Sequence, residues 1–164
     1  MKEVKLTIDG EEVQLTDEQW RMLGIIEKEK RPFKRAYYGG NYFCISSLGD
    51  IESYSDCQDR EAEAFFKEVN YFSTRPFARR VALRQLLYRK LLKFSYENKC
   101  TDVEWNGRNN HWCIYYNPDD LKYCVAGFVS HKFDSVWFSS EDAAERAIEE
   151  VVKPFVKEHP EFVW

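Results

Sequence analysis

Three groups of residues in this sequence could carry chemistry: thiols with imidazoles, paired carboxylates, and a run of arginines. The cysteines are Cys44, Cys57, Cys100, Cys113 and Cys124, and the histidines are His111, His131 and His159. Cys100, His111, Cys113 and Cys124 fall in one third of the chain, separated by gaps of ten, one and ten residues. Structural zinc takes its ligands in close pairs on tight turns, and these gaps offer none. With no C-x-x-C pair and an odd count, the thiols read as reduced and buried, with no metal or other cofactor expected. Carboxylates pair at Asp119-Asp120, Glu141-Asp142 and Glu149-Glu150. Each pair has a structural use: a hairpin turn, the first turn of a helix where the dipole favours acids, and a late helical position. No G-x-S-x-G elbow, P-loop or G-x-G-x-x-G run is present, so a non-catalytic protein is the expectation.

The arginines are the less ordinary feature. Residues 1–70 carry a net −5, residues 71–99 a net +7, and residues 100–164 a net −6. The positive block is RPFARRVALRQLLYRKLLKF, Arg75 to Phe94. At about 100° per residue, Phe77, Val81, Tyr88 and Leu92 stack, and Leu83, Leu87, Leu91 and Phe94 extend that apolar arc. Arg75, Arg79, Arg89, Lys90 and Lys93 fall opposite it. They form either a phosphate-contacting surface or a solvated face neutralised by acids such as Glu141, Asp142 and Glu145. Arg80 and Arg84 lie four apart, within the apolar arc. A guanidinium there needs an internal carboxylate, a route to the surface, or an anionic ligand, because an unpaired buried charge is very costly. The expectation is that the two form the inner wall of whatever polar site exists.

These side chains need elements to position them. Val4–Ile8 and Glu11–Leu15 flank Asp9-Gly10, a hairpin signal, and Thr16 with Gln19 makes a capping box for a helix from Asp17 carrying Trp20, Leu23 and Ile26. Pro32 and the charge mixture around it read as a connector. A second hairpin is expected over 41–46 and 51–55, and a helix over 59–69. Ser73 or Thr74 then caps the longest helix, which tolerates Pro76 in its first turn and runs to about Asn98. A β-meander should follow near 103–105, 111–116, 121–129 and 135–138. Ser139 with Asp142 opens a last helix to about Lys157, which Pro154 should bend or interrupt. The fold class is therefore α+β: an antiparallel meander against the central and C-terminal helices, with a small N-terminal ββα unit. Residues 1–30 form that unit and 36–164 the main domain, with a sub-boundary near 70.

The last third is dense in aromatics. In the strand 111–116, Trp112, Ile114 and Tyr116 share one face and His111, Cys113 and Tyr115 the other. If the second face is open, Tyr115, with Trp105 nearby, makes a stacking platform; otherwise both faces are core. The binding candidates are thus Arg75, Arg79, Arg80, Arg84, Arg89, Lys93, Trp105 and Tyr115. An internal echo also stands out. Tyr71-Phe72-Ser73-Thr74 with Ala78 and Ala82 matches Trp137-Phe138-Ser139-Ser140 with Ala144 and Ile148, at an offset of 66. It marks a duplication or the shared chemistry of strand-cap-helix junctions.

Composition sets the outer limits. The chain has 164 residues, a net charge of −4, 44% apolar and 32% charged residues. That excludes wholesale disorder, collagen-like repeats and coiled coil. No apolar run approaches the ~18 residues of a membrane helix, and the first residues lack an apolar signal region. The stretches Val81–Asn98, Val136–Trp164 and Val4–Gln19 resemble small accessory proteins of prophages and integrative elements in Gram-positive gut bacteria. The resemblance implies no catalytic residues. It implies a mobile-element setting, with inhibitors of host defence, including anti-CRISPR proteins, among its functions. The expected function is a non-catalytic inhibitor that occludes a nucleic-acid or partner surface in the bacterial cytoplasm. Its partner would be a host defence protein or ribonucleoprotein, with no membrane. The alternative is a nucleic-acid or nucleotide binder using helix 75–93 and exposed aromatics. The apolar, Trp-ended tail would suit a homodimer.

Overall fold

The computed structural model describes residues 31–100, 104–130 and 135–164, together with the backbone of 6–8 and 11–13. It is an α+β fold. Strands β1 (Leu6–Ile8) and β2 (Glu11–Val13) pair antiparallel, with Ile8 opposite Glu11, the register expected of the hairpin signal. The helix expected from Asp17 lies outside the described residues, as do Val103 and His131.

The first main unit is the hairpin β3 (Asn41–Ile45) and β4 (Ile51–Ser55), then helix α1 (Arg60–Lys67). Gly49 closes the hairpin at φ +92, a conformation glycine adopts without strain. The Asp59 carboxylate accepts the Ala62 N–H and caps α1. Alternation along β3 buries Tyr42 and Cys44, and Tyr42 stacks on Tyr71 at 4.2 Å and 8°. The Asn70 side chain exchanges hydrogen bonds with both backbone groups of Ile45, and Phe72 bridges Phe43 antiparallel.

Helix α2 (Arg75–Glu97) follows, with Pro76 in its first turn as expected. It packs on β3, β4 and the C-terminal helix. Serving two neighbours, it buries two faces. Ala78 and Ala82 are buried in its first half, and Leu83, Leu87, Leu91 and Phe94 in its second. At 100° per residue these sets centre roughly 150° apart around the axis. Of the expected arc, the Leu83, Leu87, Leu91 and Phe94 side is buried, whereas Phe77, Val81 and Leu92 are half-buried and Tyr88 is 41% exposed.

The second main unit repeats the plan of the first. Strands β5 (His111–Asn117) and β6 (Lys122–Phe128) form a hairpin, and Phe138 bridges Trp112 antiparallel. The meander is thus a two-stranded hairpin extended by a single bridge, and Trp105 lies in irregular chain. Ser140, one residue later than expected, caps α3 (Glu141–Ala147) by accepting the Ala143 N–H at 3.1 Å. A π-helical turn, Ile148–Val152, leads into α4 (Lys153–Glu158). Pro154 explains it: a proline cannot donate to the preceding turn, and a wider turn absorbs the mismatch. Phe138, Ala144, Ala147, Val152 and Phe155 join the buried residues of α2's second half in the larger core. The tail packs inward, with Trp164 5.2 Å from Tyr123 and Phe162 5.3 Å from Phe155.

Candidate functional site

The polar groups with chemical potential separate into one structural network and one open face. The network lies in the first unit. Asp56 is fully buried, and its Oδ2 accepts from Arg35 Nε at 3.0 Å and from the Tyr71 hydroxyl at 2.8 Å. Its Oδ1 accepts from the Gln58 N–H at 2.8 Å. Arg35 also reaches Glu63 at 2.5 Å. The Arg35 guanidinium holds the Asp56 carboxyl below its usual range against the opposing effect of burial, and does the same to Glu63. Burial pushes the Tyr71 phenol up to about 12. Every Asp56 contact runs to a neighbouring segment of the same unit, so this network organises the loop around Ala36–Gly40.

Cys44, Cys100 and Cys113 are buried as expected, whereas Cys57 is exposed, and the described histidines and one acid of each pair make contacts within the fold. His111 is buried, its ring stacked 3.4 Å from Trp105 and its Nδ1 3.2 Å from the Asn109 carbonyl oxygen. His159 packs edge-on to Phe155 at 4.5 Å. Asp120 accepts from Asn117 and pairs with Lys122 within the hairpin turn. Glu149 pairs with Lys153 one turn on. Among the described residues no three His, Cys, Asp or Glu side chains come together as a metal site would require.

The open face is α2. Arg79 is taken up by Glu161, its Nη2 3.2 Å from Oε1, and Lys93 by Glu97 one turn on. Lys90 and Lys93 line a shallow cleft of about 240 Å³ together with Glu150 and Glu158 of the last helix. None of the expected acids Glu141, Asp142 and Glu145 lines this cleft. Arg75, Arg80 and Arg89 are exposed and make no ion pair among the described residues.

Arg80 and Arg84 correct the sequence reading. Both are exposed rather than sunk among apolar side chains. They share the side of Leu87 and Leu91 but lie one to two turns earlier, and the second unit's core reaches α2 only from Leu83 onward. Arg80 lies over the Phe77 ring at 5.3 Å. Arg84 donates from Nη2 to the Trp164 carbonyl oxygen at 3.1 Å and from Nε to that of Val163 at 3.4 Å. Neither meets an Asp or Glu side chain among the described residues. Both took the route to the surface.

Arg84 also borders a groove of about 800 Å³. Buried Leu87, Leu91 and Phe138 form its floor, Phe162 and Trp164 a far wall, and exposed Arg84, Tyr88 and Arg89 its rim. The two aromatic candidates part company. Trp105 is 39% exposed but committed to His111 and, edge-on, to Trp137 at 5.0 Å. Tyr115 is open at 43%, beside buried His111 and Cys113, so the platform reduces to one ring. Comparison with protein-family models, curated proteins and solved structures finds no match to the chain.

The sequence reading missed Tyr88 and Tyr96. Tyr96 is 63% exposed, three residues from Lys93 and seven from Arg89, so these three share one solvent-facing stripe. Spacing from the cations alone would have found Tyr96. Tyr88 was hidden because it completes an apolar arc that the fold buries only in part.

Proposed function

We propose that this is a non-catalytic binding protein that docks an anionic partner on the exposed arginines of α2 and hides the surface it covers. The observation that carries the reading is the state of the cations. Arg75, Arg80 and Arg89 are held outward along one long helix, and none of the three is spent on a carboxylate among the described residues. Charges left outward on a rigid element favour encounter with an opposite charge and fix its orientation. In the mobile-element setting implied by the resemblance, the partner is a host defence protein or ribonucleoprotein, and occlusion makes the protein an inhibitor. The test is capture from bacterial host extract by wild type and by the triple variant Arg75→Glu, Arg80→Glu, Arg89→Glu. The variant should keep its melting temperature and lose at least tenfold in affinity for the captured partner. Unchanged capture sinks the reading.

A second reading, direct nucleic-acid binding, is favoured by the stripe Arg89, Lys93 and Tyr96, where a ring stands among cations. Aromatic rings stack unpaired bases while cations follow the backbone. Gel shift with single-stranded RNA and DNA at two salt concentrations separates the two. Nucleic-acid binding weakens steeply with salt, and each contacting arginine removed lowers the log–log slope by roughly 0.7–0.9.

A further inference from the structure

We infer that the groove beside α2 receives an acidic, amphipathic segment of a partner protein, which rests on the docking reading above and specifies its chemistry. The floor comes first. Leu87 and Leu91 are one helical turn apart and, with Phe138, are almost closed to solvent, so the groove already has a packed apolar bottom. Such an apolar floor takes branched or aromatic side chains inserted from above.

The rim sets the charge. Arg84 and Arg89 are five residues apart, hence about 140° apart around the helix and roughly 7.5 Å along it. They cannot fork a single phosphate between them. They suit two anions set apart, as on carboxylates one to two turns distant along a docked helix. Arg84 is braced from behind by the Val163 and Trp164 carbonyl oxygens, so its remaining N–H groups are oriented before any ligand arrives. No Asp or Glu side chain borders the groove among its described residues. Tyr88 stands between the two arginines, 41% exposed, with an apolar ring and a polar tip suited to the edge of a protein interface.

The probe is a library of phage-displayed random dodecapeptides panned on the intact protein, with the best sequence then synthesised and titrated by fluorescence anisotropy. The expected consensus holds at least two acids around a large apolar residue. Its affinity should fall tenfold or more in Arg89→Glu, a substitution at an exposed residue that leaves the melting temperature in place. Tyr88→Ala should lose several-fold, and changing either acid of the peptide to its amide should cost a similar factor. The inference is overturned if no sequence enriches, if the consensus lacks acids, or if Arg89→Glu keeps full affinity. It is also overturned if a twelve-nucleotide oligouridylate displaces the peptide, since the groove would then seat nucleic acid. The docking reading survives such a failure wherever capture of a host partner still depends on Arg75 and Arg80.

Discussion

Phe72 and Phe138 occupy the same place in two units of the chain, 66 residues apart. Each bridges antiparallel to the first strand of a hairpin, Phe72 to Phe43 and Phe138 to Trp112, through a reciprocal pair of backbone hydrogen bonds. Each is followed by a hydroxyl residue at the helix start and then by a fully buried alanine, Ala78 or Ala144. What surrounds the two frames differs. The first is organised by one buried carboxylate that ties an arginine, a tyrosine and a backbone turn together. The second is filled by aliphatic and aromatic side chains from both long helical segments. One backbone plan therefore tolerates a polar clamp or an apolar core. The helix after the polar unit is left with exposed arginines, whereas the last helix supplies packing and acids.

Cavity formation should separate the units most strongly. Phe138 is fully buried in the larger cluster, so Phe138→Ala should cost about 3–5 kcal/mol. Phe72 is equally buried, but its ring neighbours Phe33 and Phe77 are partly open and can close over the gap. Phe72→Ala should therefore fall at or below the bottom of that range. Urea denaturation midpoints at constant m decide the order, and the reverse order breaks the contrast between an apolar and a polar unit.

Acid should act next, and on the first unit. The Asp56 carboxyl is held below its unfolded value of 3.8, chiefly by the Arg35 hydrogen bond. A depressed folded pKa contributes stability that is present above the unfolded value and lost as pH falls through the folded one. Glu63 is shifted in the same direction by the same guanidinium. Between about pH 5 and pH 2 the first unit should thus loosen before the second. The sequence provides the reporters, since Trp105, Trp112, Trp137 and Trp164 lie in the second unit and residues 31–73 contain no tryptophan. Amide exchange at Tyr42 and Tyr71 should accelerate at a pH where the fluorescence of those tryptophans is unchanged. Asp56→Ala, which leaves Arg35 and Tyr71 without their acceptor, should cost about 2 kcal/mol at neutral pH and flatten the acid response. A single acid transition seen by every probe would show that the units do not differ in this way.

Much of this frame can be read in the sequence because its signals are local. Asp9-Gly10, Gly49, Asp59 and Pro76 each act within a few residues of themselves, and the hairpins and helix starts fall where they predict. The echo around Phe72 and Phe138 is legible for the same reason. The face of α2 is not, because a helix shared by two units buries different sides along its length. No single periodicity describes Ala78 and Ala82 together with Leu87 and Leu91. The places of Arg80 and Arg84 depend on where the second unit stops, which is a matter of three-dimensional extent. Asp56 gives no sign in sequence either: it is one of 28 acids, and its burial is set by Arg35 and Tyr71, 21 residues before it and 15 after.

The smallest contrast concerns the two helix starts. Ser140 accepts the Ala143 N–H, whereas the Thr74 side chain makes no cap hydrogen bond and the neighbouring Ser73 hydroxyl donates instead to the Arg31 carbonyl oxygen. Ser140→Ala should cost about 1 kcal/mol and Thr74→Ala less than about 0.5 kcal/mol. The converse sharpens the point. Helix α2 has no acid in its first turn, so Thr74→Asp adds both an acceptor for its orphan N–H groups and a charge that suits its dipole. That variant should gain about 0.5–1 kcal/mol. Ser140→Asp should gain less, because its cap is already made and Glu141 and Asp142 already crowd that turn with negative charge. Equal responses at the two positions would mean that Thr74 caps α2 in solution as Ser140 caps α3, and the two units would then differ only in what fills them.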